Sequence, residues 1–168
     1  MASNYLEQLL AEWYEFRAYF VRRNVLVGKR ARGGYDCELD IVAFNPVTKH
    51  LVHLEPSMDT YSWDRREERL AKKFAAGRLH IPKLFDGLDI PANPEQIAVL
   101  VYGGERTRSM LGGGKVQFVR AFMREIFLHL ANLPLESSAV PEQLTILRSF
   151  QFVAQYRRDV IEALTTDA

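Results

Sequence analysis

The sequence predicts an α/β protein in which a mixed central sheet of about four strands contains an antiparallel hairpin and is flanked by helices. Three features point to it. Two strand-like runs, Cys37 to Phe44 and Leu51 to Pro56, enclose the turn "NPVTKH", whose Asn-Pro step marks a hairpin. Apolar residues recur at helical spacing before and after that hairpin. Further on, "QIAVLVYGG" is an almost continuous apolar run ending in two glycines, the composition of a strand covered on both faces.

Taken in order, Tyr5 to Phe20 carries apolar residues at 6, 9, 10, 13, 16 and 20, the stripe of an amphipathic helix with Asn4 as its N-cap. Trp13, Phe16 and Phe20 are expected in the core. Val25 to Val27 is a short strand, followed by the basic glycine-containing loop "GKRARGG". The hairpin comes next. Ser62 then caps a helix from Trp63 to about Leu79 whose buried stripe is Trp63, Leu70, Phe74 and Gly77. Two helices close the chain, Val116 to Leu133 and about Glu142 to Leu164, separated by "PLESSAVP". Ahead of them, "GGGKV" lacks the glycine spacing and the Ser or Thr of a phosphate-binding P-loop, so it reads as a flexible loop with weak anion-binding potential. The expected organisation is one domain over 1–168, with a core from about 4 to 105 and C-terminal helices from about 115 to 165.

A hydrophobic fraction of 48% with 26% charged residues is that of an ordinary globular protein. No apolar run approaches the roughly 18 residues of a membrane span, so no membrane association is expected. The first residues do not form a basic start followed by an apolar block, and the single cysteine, Cys37, can form no internal disulfide. A cytoplasmic setting is therefore expected. Net charge is only +1, yet the cations are unevenly placed. Arg22, Arg23, Lys29, Arg30 and Arg32 flank the first strand, and Arg65, Arg66, Arg69, Lys72, Lys73 and Arg78 crowd the second helix. These are either two solvated faces or the walls of a phosphate-contacting groove.

Carboxylates stand where the hairpin should carry Val or Thr. Folding the strands symmetrically about the turn pairs Phe44 with Leu51 and Val42 with His53, and by extension Asp40 with Glu55 and Glu38 with Ser57. Glu38, Asp40, His53, Glu55 and Ser57 then share one face, with opposed Cβ atoms about 5 Å apart. Two opposed carboxylates repel unless a cation neutralises them or one takes a proton. A hydrated Mg²⁺ bound through Asp40 and Glu55 meets that need; a wet face near Lys49 or the arginines is the plainer alternative.

The ordered pair "ELDIVAF" and "LVHLEPS" resembles the core signature of the PD-(D/E)XK nuclease superfamily, in which an Asp on one strand is followed by a Glu-X-Lys triplet on the next. The Holliday-junction-resolvase-like branch is the most similar in pattern. That branch also places a Glu in the first helix, an Asn before the first strand and a Gly-Glu-Ile-Asp-like motif on the second; Glu7, Asn24 and "CELD" stand in those places. The resemblance covers about residues 4 to 75. It implies a restriction-endonuclease-like fold, phosphodiester cleavage in DNA dependent on Mg²⁺ or Mn²⁺, metal ligation by Asp40 and Glu55, and assistance from Glu7.

Ser57 departs from that pattern, because it stands where the triplet carries lysine. The lysine ammonium serves to orient the attacking water and to stabilise charge on the phosphate, which a hydroxyl does far less well. At about 100° per residue around Leu70, Arg66 and Lys73 border the buried stripe of the second helix, whereas Lys72 points away. Lys73 has the right chemistry but lies about 10 Å further along the axis than Arg66. Two function classes follow: a nuclease with catalytic residues Glu7, Asp40 and Glu55 in which Lys73 or Arg66 replaces the missing lysine, or a catalytically inactive nuclease-fold module for nucleic-acid binding or protein interaction. Lys29, Arg30, Arg32, Arg65, Arg66 and Arg69 are the expected phosphate contacts. His53 is expected to be a hydrogen-bonded surface histidine, the alternative being contact with a metal or its water beside Glu55, and the apolar C-terminal helices suit a homodimer interface.

Overall fold

The structure is a computed structural model that describes residues 4–103 and 108–166. The chain is α/β, and its sheet is mixed, open and six-stranded rather than four-stranded, with five helices among the described residues. It divides into two compact units, the first running to Val119 and the second from Arg120. The expected end of the core, near residue 105, lies outside the described residues.

Helix α1 (Tyr5–Phe16) begins as expected, with Asn4 Oδ1 accepting from the Leu6 N–H at 3.0 Å. It ends four residues early. Ala18 takes a positive φ of 63°, and Phe20 opens strand β1 (Phe20–Lys29) with 66% of its surface exposed, so it is no core residue. Strand β1 is ten residues long, not three; its exposed positions carry Arg22, Arg23 and Asn24, which mask a period-2 pattern.

Strands β2 (Tyr35–Asn45) and β3 (His50–Ser57) form the hairpin in the predicted register, Phe44 opposite Leu51 and Val42 opposite His53. Asn45 Oδ1 closes the turn by accepting from the N–H groups of Val47 and Thr48 at 2.9 and 3.0 Å. The ladder stops at Ile41 and Leu54. Beyond it the strands fork: β2 continues with β1 alone to Tyr35, while β3 pairs in parallel with β4 (Glu95–Leu100) as far as Ser57 and Leu100. The expected Asp40–Glu55 and Glu38–Ser57 ladder pairs are therefore absent, and Glu38 lies opposite Leu26.

Helix α2 (Trp63–Leu84) is the crossover between β3 and β4, five residues longer than predicted, with Pro82 accommodated in its last turn. Its buried residues include Leu70, Phe74, Gly77 and Ile81. Past β4, "GGGKV" is not a loop before a helix. Gly112 and Gly113, with φ of 59° and 83°, make the turn of a hairpin between β5 (Met110–Leu111) and β6 (Gly114–Phe118), giving the order β1-β2-β3-β4-β6-β5.

The second unit holds most of α3 (Val119–Leu130), then α4 (Thr145–Gln155) and α5 (Arg157–Thr165). The second of the two predicted closing helices, about Glu142 to Leu164, is broken at Tyr156. Gln151 is fully buried and ties the intervening loop to α4: it accepts from the Val140 N–H and donates to the carbonyls of Leu133 and Ser138, each at 2.9 Å.

Candidate active site

The fork between β2 and β3 is where the carboxylates meet. Having lost a ladder partner on β3, the Asp40 N–H donates instead to Glu55 Oε1 at 3.2 Å. On the other side of β2, Asn24 adopts a φ of 52° and interrupts the β1 ladder opposite Asp40, a conformation that asparagine tolerates better than most residues. Lys73 reaches down from α2 and places Nζ 2.5 Å from Asp40 Oδ1 and 2.5 Å from Glu55 Oε2. Glu55 is almost completely buried, and Asp40 and Lys73 are each mostly buried. Lys72, as expected from its helical phase, is exposed.

Charge in this cluster does not balance, since two carboxylates face one ammonium. Burial and the adjacent Glu55 raise Asp40 from 3.8 to about 7, against the opposing pull of Lys73. Glu55 is also pushed up by burial, with Lys73 and Asp40 lowering it. Burial disfavours the Lys73 ammonium, but Glu55 and Asp40 outweigh it and hold the lysine above its ordinary value. Glu7, on α1, lies within electrostatic reach; burial and Asp40 raise its carboxyl.

A second cluster surrounds Ser57. Its hydroxyl donates to Asp59 Oδ2 at 2.5 Å and accepts from Arg69 at 3.1 Å, while Arg69 also pairs with Asp59 at 2.7 Å. Arg66 is buried rather than facing a groove: it donates to Asp59 Oδ1 at 2.9 Å, to the Asp59 carbonyl, and to the Tyr102 carbonyl at 2.9 Å. Burial works against the Asp59 carboxylate, yet hydrogen bonds from Ser57, Arg66, the Tyr61 N–H and Arg69 hold it well below the usual carboxylate range. Asp59 lies in an irregular segment outside any strand or helix pattern, and only its place two residues beyond Ser57 hinted at it.

No family model, curated protein or solved structure matches the chain.

The remaining cations divide. Arg65 stacks on Tyr61, its guanidinium carbon 3.7 Å from the ring centre, and leaves its edge to solvent. Arg30 pairs with Asp36 at 2.6 Å in the β1–β2 turn, where Lys29 and Arg32 are exposed. That turn and the start of α2 lie beyond the same end of the sheet, because β2 and β3 run antiparallel, the one entered from that turn and the other leaving toward α2. His53 is fully buried, contrary to expectation, and donates from Nε2 to Glu55 Oε1 at 2.8 Å. Burial and then Lys73 push it down to about 3, so it is neutral.

The fit of a cation can be judged from the donors present. Among the described residues no group of three or more His, Cys, Asp or Glu side chains is placed to hold a metal ion. Asp40 and Glu55 converge at the fork with less positive charge than they need, which suits an ion that keeps most of its water and takes one or two carboxylates, as Mg²⁺ does.

Proposed function

We propose that this chain is a metal-dependent nuclease with a restriction-endonuclease-like fold that hydrolyses phosphodiester bonds in DNA at Asp40, Glu55 and Lys73. One observation carries the reading: Lys73 brings an ammonium to both carboxylates from α2, supplying the cation that Ser57 cannot. Asp40 and Glu55 would hold Mg²⁺ or Mn²⁺, which would supply Lewis-acid stabilisation and a more acidic bound water. Lys73, held protonated, acts as fixed positive charge for the phosphate and not as a base. Glu7 adds a third carboxyl near the ligands. Arg65 and Arg69, together with Lys29 and Arg32 on the ribbon beyond the fork, are the cations placed to meet a phosphate backbone; Arg66 is committed to the fold.

The alternative is a catalytically inactive nuclease-fold module that binds nucleic acid or a protein. It is favoured by the way Asp59 and Arg69 occupy the Ser57 hydroxyl, leaving no ammonium on the strand. Calorimetric titration with Mg²⁺, run alongside cleavage of branched, duplex and single-stranded DNA, separates the two. The nuclease reading expects cleavage that is lost in Lys73→Ala while Mg²⁺ binding persists. Cleavage surviving Asp40→Asn would reject the site, and salt-sensitive DNA binding without any cleavage would favour the module.

A homodimer through the C-terminal helices belongs to the same proposal. Helix α5 buries none of its residues, Leu164 is exposed, and exposed Ile161 lines an apolar groove with Phe127, Val153 and Val160. A nine-residue helix is marginal in water unless its apolar face is covered, so a second copy is the proposed cover. Sedimentation showing a concentration-independent monomer would remove it.

A further inference from the structure

His53, Gln96 and Arg78 lie on β3, β4 and α2, and the direction of every hydrogen bond among them is forced. Arginine has only donors, so the Gln96 atom 2.5 Å from Arg78 must be Oε1. The other end of the amide agrees, since it lies 2.8 Å from the Phe74 carbonyl, which only accepts. That same Nε2 is 3.1 Å from His53 Nδ1. Having only hydrogens to offer, it makes Nδ1 an acceptor, and the neutral imidazole must then carry its proton on Nε2. Nε2 faces Glu55 Oε1 at 2.8 Å.

We propose that Arg78, Gln96 and His53 form a chain of fixed hydrogen-bond polarity in which His53 is a positioning residue: it turns Oε1 of Glu55 into the fold and leaves Oε2 to face Lys73 and any ligand of the site. Two donors serve Oε1, the His53 Nε2–H and the Asp40 N–H. Lys73 meets Oε2, and the Asp40 carboxyl also hydrogen-bonds the Glu55 carboxyl. Glu55 thus presents one oxygen outward and is a one-oxygen ligand.

The packing is built around this ring. Gly77 sits in the middle of α2, where glycine costs about 1 kcal/mol relative to alanine, and a Cβ there would collide with His53 Nδ1 and come within 3.0 Å of Gln96 Nε2. Phe74, one turn away on the same helix, meets the ring edge-on, the centroids 5.3 Å apart. The imidazole has one orientation available.

The consequence for metal binding rests on the proposed nuclease reading; the hydrogen-bond polarity does not, so the test reads both. In the full-length protein, imidazole ¹⁵N shifts should show His53 neutral with its proton on Nε2 at pH 7. Gln96→Leu should release the constraint and give a mixture of tautomers. Mg²⁺ affinity by calorimetry should fall about 10- to 100-fold in His53→Phe, the usual loss when the partner of a metal ligand is removed. His53→Gln, which restores a donor near Nε2, should recover most of it even if the thermal midpoints of the two variants are alike. A proton on Nδ1, an imidazolium, or unchanged affinity in His53→Phe would overturn the positioning role. If the wild type bound no Mg²⁺, the metal reading would fall, and the nitrogen shifts would still decide the polarity chain.

Discussion

Arg66 and Lys73 both border the buried stripe of α2, yet they meet different fates. Arg66 spends its donors on Asp59 and Tyr102, whereas Lys73 finds two carboxylates short of positive charge. Removing one partner from a buried pair leaves an uncompensated charge, so Asp59→Ala should destabilise the protein by about 3 kcal/mol in urea titrations. Ser57→Lys, the obvious repair of the triplet, should destabilise as well, because a second cation would stand against Arg69 in a buried position. Thermal scans would expose the error if that variant proved as stable as wild type. Asp40 behaves the other way. With its folded-state value raised from 3.8 to about 7, the folded protein holds more protons than the unfolded chain across that window, and stability is lost as pH rises through it. Asp40→Asn should therefore raise the melting temperature at pH 8, by about 2–4 °C for each kcal/mol relieved, and bring little gain at pH 4.

At the scale of elements, the hairpin was legible because two strand-like runs folded symmetrically about an Asn-Pro turn give one register, and that register placed Asp40 beside Glu55. The fork that follows was not, since nothing in the pattern of Glu38 and Ser57 says that β3 leaves β2 for β4. Strand β1 was read short because its exposed edge carries arginines, and β5 and β6 were missed because their glycines look like a loop. Those glycines are positional. A Cβ on Gly112 would strike the backbone of α2 at Leu70 and Ala71, in a φ of 59° that L side chains resist. Gly112→Ala should accordingly cost more than 1 kcal/mol, and a stable variant would show that the β5–β6 turn can shift. His53 was misjudged because a lone polar residue on a strand reads as solvent-facing until its partner Gln96, 43 residues away, is brought to it.

Over the whole molecule a net charge of +1 conceals a polar arrangement of cations, with the β1–β2 turn and the start of α2 beyond one end of the sheet. On the proposed reading, DNA affinity should fall steeply with salt. Arg32→Ala and Arg65→Ala should each flatten the logarithmic slope by about one, while Lys83→Ala at the far end of α2 should not. Salt-independent binding would remove nucleic acid as the partner. The position of Lys73 carries one more implication. A lysine on the strand of Glu55 would travel with it, two residues away along the same rigid rod. Here ammonium and carboxylate ride on separate bodies joined by a seam, so their spacing is an adjustable mechanical quantity. Anything that levers α2 off the sheet by an ångström would throttle the centre without touching either carboxylate.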